Sequence, residues 1–123
     1  MWFEDLPEGC PSKKSSEPDN QDYFRLINKR TPKCKDFWSY KKLIPDKPYE
    51  NACPCEIRAV SIFNSIDGAI RLKKVAAHKK KHIGKIQLTY NDGKILKTGK
   101  DETHYAWWRP TGFDPASCSV VEI

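Results

Sequence analysis

The sequence predicts an α+β fold, a mostly antiparallel sheet with two short helices in a single compact domain. Three observations predict it. Strand-like and helix-like segments alternate twice and then give way to a run of strands, the order expected of an α+β chain and not of a doubly wound parallel sheet. An Asn91-Asp92-Gly93 turn separates two short alternating segments, a strong hairpin signal. Finally, 123 residues, 14 of them Trp, Tyr or Phe, suit one core of ordinary domain size.

Taken in order, residues 1–21 read as a flexible N-terminal arm, because Pro7 to Asn20 is rich in Pro, Ser, Glu and Lys and lacks apolar periodicity. The domain proper spans 22–123. Asp22 to Asn28 is a compact apolar and aromatic run ending in turn formers, which suits a strand, with Arg25 as its odd residue. Thr31-Pro32 supplies a cap and a first-turn proline for a helix over Lys33 to Lys42, in which Cys34, Phe37, Trp38 and Lys41 share one side. Three prolines make Leu43 to Pro54 an irregular connection. The best-defined unit is a buried strand over Ile57 to Phe63, a cap at Asn64-Ser65, and an amphipathic helix over 66–79 carrying Ile66, Ala69, Ile70, Lys73 and Ala77. His82 to Tyr90 alternates and is expected to pair through the Asp-Gly turn with Lys94 to Thr98. A Trp-rich stretch, a Gly112 to Pro115 turn and a last strand over 118–123 complete the chain.

Charge is unevenly distributed. The formal net charge is +6, yet Arg71 to Lys100 alone holds ten Lys or Arg against one acid, Asp92, while Met1 to Tyr23 holds six acids against Lys13 and Lys14. Such polarity concentrates phosphate-bearing ligands at one part of the surface, and it equally suits a solvated helix end at Lys79-Lys80-Lys81. No stretch approaches the ~20 apolar residues of a membrane span, and acids at Glu4, Asp5 and Glu8 are out of place in a signal peptide. A cytoplasmic location with no membrane partner is therefore expected. Five cysteines, an odd number, with Cys53-Pro54-Cys55 the only close pair, make reduced thiols the expectation.

Zinc is the first chemistry to weigh. Cys53, Cys55, His78 and His82 offer two thiols and two imidazoles, but one residue separates the cysteines and 22 precede the first histidine, against two to four and about twelve to fifteen in zinc fingers. No metal site is assigned. Serine nucleophile elbows and glycine-rich phosphate loops are absent. The distinctive stretch is Thr98 to Pro110, which gathers His104, Tyr105, Trp107, Trp108 and Arg109 beside the basic segment. Adjacent tryptophans in a strand face opposite ways, so one can stack a base while the other fills the core; the alternative is that both fill the core. His104 is the candidate acid or base.

Three features line up: Tyr23-Phe24-Arg25-Leu26 in the first strand, Ser61-Ile62-Phe63-Asn64-Ser65 leading from strand to helix, and a β-rich second half. This layout resembles the ADP-ribosyltransferase-like domains, which include RNA 2'-phosphotransferases and several bacterial toxins. The resemblance implies that Arg25 grips a phosphate or ribose of NAD, that Ser61 supports the nicotinamide ribose, and that Tyr23 and Phe63 are stacking neighbours. The family's third element, a Glu or Gln near the catalytic strand, has Glu102 nearest in order. Arg25 also has a structural reading, an ion pair with Asp22 or Glu122.

Two functions follow. The first is a nucleotide- or RNA-phosphate-binding domain, a diverged ADP-ribosyltransferase-like enzyme acting on NAD or nucleic acid. Its catalytic set is His104, Arg25 and Ser61, and its ligand contacts are Tyr23, Lys85, Tyr105, Trp107, Trp108 and Arg109. The second is a non-catalytic module for single-stranded nucleic acid or a protein partner, as in toxin-antitoxin or phage-defence accessories.

Overall fold

The computed structural model describes Met1–Glu122. Strands β1 (Gln21–Ile27), β2 (Val60–Phe63), β3 (His82–Leu88), β4 (Lys94–Lys97), β5 (His104–Trp108) and β6 (Ser119–Val121) form one antiparallel sheet in the order β4-β5-β2-β1-β3-β6. Two helices, α1 (Tyr40–Leu43) and α2 (Ile66–Lys73), and short 3₁₀ turns complete an α+β architecture. The expected last strand is shortened to β6, and Ile123 lies outside the described residues.

Alternation along the strands builds two apolar layers. On one face Tyr23, Ile27, Val60, Ile62, Ile86, Leu88, Ile95 and Trp107 pack with Phe37, Phe113 and Cys118. On the other, Leu26, Phe63 and Ile83 meet Ala69 of α2. Ser65 starts that helix by accepting from Asp67 N. Gly68 lets α2 lie close, since a Cβ there would stand 2.1 Å from Thr103 Oγ1 and 2.5 Å from Phe63 Cδ1. The helix stops at Lys73, and Ala76–His78 continues as a separate 3₁₀ turn, so the helix expected over 66–79 is really two pieces.

The expected hairpin is not formed. β3 pairs with β1 and β6, while β4 pairs with β5 at Lys94↔Trp108 through Lys97↔Tyr105. Asp92-Gly93 does turn the chain, with Asp92 accepting from Thr89 N and Gly93 at φ +91°. The sheet curls enough for Leu88 and Ile95 to enter one core, so the turn links its two halves. Turn residues fix a reversal; burial decides which strand becomes the neighbour.

The helix expected over 33–42 is also broken. Cys34–Phe37 is a 3₁₀ turn, Trp38 is extended, and Ser39 caps α1 by accepting from Lys42 N. Glu4 holds the break open by taking both Ser39 N and Ser39 Oγ.

Residues 1–20, expected as a flexible arm, lie docked on the body. Trp2 bridges to Pro110, Ser16 bonds both ways with Ile95, and Pro18 is buried. Cys10 is joined to Cys55 in a disulfide, which corrects the expectation of five reduced thiols; Cys34 and Cys53 are exposed and Cys118 buried. Spacing alone could not show this pair, because only folding brings positions 45 residues apart together.

Candidate functional site

β1 and β2 are paired at a single position, Phe24↔Phe63, and then diverge. Arg25 fills the gap, donating from Nε to Asp36 O at 2.5 Å and from Nη1 to Ser61 O at 2.7 Å. Its Nη2 has no hydrogen-bond partner among the described residues. Neither carboxylate considered as its ion-pair partner is engaged: Glu122 pairs with Arg30, and Arg25 leans on main-chain carbonyls alone. Burial pushes its guanidinium down to about 10, so it stays charged at neutral pH.

This divergence opens a cleft of about 610 Å³, within the range of small-molecule sites. Ser61 and Phe63 line it from β2, Gly68, Arg71 and Leu72 from α2, and His104 from β5. The sheet thus brings Arg25, Ser61 and His104, three of the residues picked from sequence, to one cavity. His104 Nδ1 lies 2.9 Å from Thr98 O and 3.2 Å from Thr98 Oγ1, which assigns the proton to Nδ1 and leaves Nε2 as the acceptor. Its ring stands edge-on to Phe63, centroids 5.5 Å apart.

The remaining sequence candidates go elsewhere. Tyr23 is a core residue whose phenol burial pushes upward in pKa, with Tyr105 edge-on to it. Trp107 and Trp108 do face opposite ways, but both faces are covered: Trp107 Nε1 donates to Asp92 O and Trp108 Nε1 to Cys55 O. Neither ring is left for a base. Arg109 is buried, with its guanidinium carbon 3.8 Å from the Phe3 ring and its Nη atoms on Phe37 O and Phe113 O. Lys85 is exposed outside the cleft. Glu102 does not line the cleft either; the acid there is Asp101, which chelates Arg71 at 2.9 and 3.0 Å and accepts from Thr103. Those contacts hold the Asp101 carboxyl well below the usual carboxylate range.

Residues passed over in the sequence complete the walls. Trp38 joins Phe63 and Tyr40 as an aromatic of the cleft, with Lys42 Nζ 4.5 Å and Lys35 Nζ 5.6 Å from its ring centroid. Arg71, Lys81, Lys100, Lys35 and Arg25 give five cations, against the carboxylates of Asp36 and Asp101. Both carboxylates are already used, Asp36 by Asn28 N and Lys33 N and Asp101 by Arg71. The cleft is accordingly a positive, partly aromatic cavity. Disulfide bonding removes Cys55 from any zinc set, and no group of three potential metal ligands occurs among the described residues. No described helix is long and apolar enough to cross a membrane.

No known family model, curated protein or solved structure matches this chain.

Proposed function

We propose that the cleft binds a nucleotide and that the chain is a nucleotide-binding domain of ADP-ribosyltransferase-like character, with NAD or the phosphates of a nucleic acid as ligand. One observation carries the reading: Arg25 of β1, Ser61 of β2 and His104 of β5, far apart in sequence, line the same cationic cavity. Phosphates would meet Arg25 Nη2, Lys81 and Lys100, with Trp38 as the aromatic wall. In a transfer reaction His104 Nε2, held as an acceptor by Thr98, would take a proton. Ser61 would bond a ribose hydroxyl.

The non-catalytic reading draws its support from a different surface. Lys79, Lys80 and Lys85 are exposed outside the cleft, and a phosphate backbone or acidic partner would engage these. The disulfide favours an oxidising compartment over the expected cytoplasm, because cytosolic thiols are kept reduced.

Calorimetric titration of NAD and of a short single-stranded RNA at two salt concentrations separates the readings. A cleft nucleotide gives a shallow salt dependence and loses affinity in Lys100→Met. A surface RNA site gives a log-log slope near −0.7 per phosphate contact and is indifferent to that change. NAD affinity unchanged in Lys100→Met, or no binding of NAD at all, refutes NAD as the ligand of the cleft.

A further inference from the structure

Three buried side-chain nitrogens have no partner among the described residues: Trp38 Nε1, His78 Nδ1 and Arg109 Nε. Two of these, Trp38 and His78, belong to side chains that line the cleft. A buried polar group without a partner costs about 1–3 kcal/mol, so two such groups in one cavity wall point to a partner that the chain itself does not supply. Trp38 Nε1–H can only donate, so its missing partner is an acceptor.

Lys81 lies in the same wall, three residues beyond His78; its main-chain N donates to His78 O, while its ammonium has no hydrogen bond or ion pair among the described residues. Burial, and after it the Arg25 guanidinium, push its ammonium down in pKa. Asp36 offers it only partial relief, its oxygens being committed to Asn28 N and Lys33 N. Trp38, His78, Lys81 and the open Nη2 of Arg25 make up a set of donors with no acceptor to match. A planar carboxylate has two oxygens, whereas a terminal phosphate has three, and four donors from different directions suit the latter better.

We propose that Trp38, His78 and Lys81 form a phosphomonoester subsite in the cleft, taking the terminal phosphate of a nucleoside monophosphate, a group that NAD does not carry. The inference rests on the nucleotide reading above. Both rings border the cavity. Binding is coupled to a proton. Burial, and after it Lys81, hold His78 below its ordinary pKa, so it is neutral at pH 7, and a dianion alongside it supplies the opposite charge that favours protonation. The other charged or titratable groups around it in the cleft are Arg25 from β1, Lys35 and Asp36 from the 3₁₀ turn, Tyr40 from α1, Arg71 from α2, and Lys100, Asp101 and His104 from the β4–β5 loop and β5. Only Asp36 and Asp101 oppose its charge, and both are already engaged.

The test is calorimetric titration of the whole chain with AMP and with adenosine at pH 7, in two buffers of different ionisation enthalpy. The variants are Lys81→Met and His78→Asn, each first shown by circular dichroism to melt like the parent. The subsite predicts AMP binding at least tenfold tighter than adenosine, a loss of that advantage in Lys81→Met with adenosine unchanged, and net proton uptake with AMP that disappears in His78→Asn. Equal affinity for AMP and adenosine, or an AMP advantage untouched by both changes, overturns the subsite and leaves the nucleotide reading standing. Binding of neither ligand overturns both. Should Lys81→Met fold poorly, Lys81→Arg decides instead: it keeps the charge, and full loss of the AMP advantage with it argues against a charge-based site.

Discussion

Gly68→Ala is expected to destabilise the protein even though alanine is the better helix former. On an exposed helix the change would gain about 1 kcal/mol. Here the new methyl would sit 2.1 Å from Thr103 Oγ1 and 2.5 Å from Phe63 Cδ1, both inside van der Waals contact. Phe63 is buried against Ala69 and paired with His104, so it has little room to retreat. Thr103 is tied to Asp101 by two hydrogen bonds of 2.7 and 2.8 Å. Overpacking of this kind costs about 1–3 kcal/mol, and more where the neighbours are fixed, which leaves a net loss of roughly 1–2 kcal/mol. At this chain length that corresponds to a fall in Tm of at least ~3 °C. Differential scanning calorimetry measures it directly. Because α2 also carries Arg71 and Leu72 into the cleft, ligand affinity should fall with it. An unchanged or higher Tm would show that α2 does not pack on the sheet through Gly68, and the cleft wall built on it would have to be redrawn.

Other consequences are as direct. The Cys10–Cys55 bond closes a 45-residue separation, and chain entropy gives it about 4 kcal/mol; a reductant should lower Tm by well over 5 °C, and native thiol titration should find two fast thiols, Cys34 and Cys53, with the third released only on unfolding. Five thiols in the unfolded, unreduced chain, in place of three, would remove the disulfide. Burial pushes the Cys118 thiol up to about 11, so alkylation of that position at pH 8 should be negligible in the native state, and rapid labelling there would contradict its enclosure. Asp101 has a folded-state pKa below its unfolded value, so the stability it contributes is complete above about pH 4 and is lost as pH falls further; urea midpoints from pH 5 to 2 should decline less steeply in Asp101→Asn, and parallel curves would refute the Arg71 clamp. Arg25→Lys keeps the charge but cannot span Asp36 O and Ser61 O, and should cost about 1–3 kcal/mol; a neutral effect on the urea midpoint would mean that Arg25 does not brace the diverging strands.

How much of this was legible in the sequence depends on whether the signal is local. The strand, cap and helix over 60–73 were readable because period, Ser65 cap and buried face coincide there, whereas Glu56–Arg58 is a 3₁₀ turn where the strand was expected to start at Ile57. Arg25 stood out as a charge in an apolar strand and His104 by its place in the Thr98 to Pro110 stretch, whereas Ser61 came in only through the family resemblance. What could not be read was long-range. Pairing of β4 with β5 in place of β3 follows from the curl of the sheet, and no turn residue encodes it. Trp38 looked like the inner side of a helix until the Ser39 cap and Glu4 broke that helix and turned the ring to the cleft. Trp107 and Trp108 carried the right composition for a stacking platform, yet their indole N–H groups already had main-chain acceptors. Arg71 and Lys81 were counted as charge in the basic segment; only the folded chain shows that they share a cavity with Arg25 while their lysine neighbours do not.

The measurement closest to the central claim is an amide-resolved NMR titration of the chain with NAD and with AMP. A nucleotide site in the cleft predicts saturable shifts at Arg25, Trp38, Ser61, Arg71, Lys81 and His104, including the Trp38 indole N–H, with the indoles of Trp107 and Trp108 unmoved. Shifts confined to exposed Lys79, Lys80 and Lys85 and abolished by salt, or no saturable shifts at all, would contradict it.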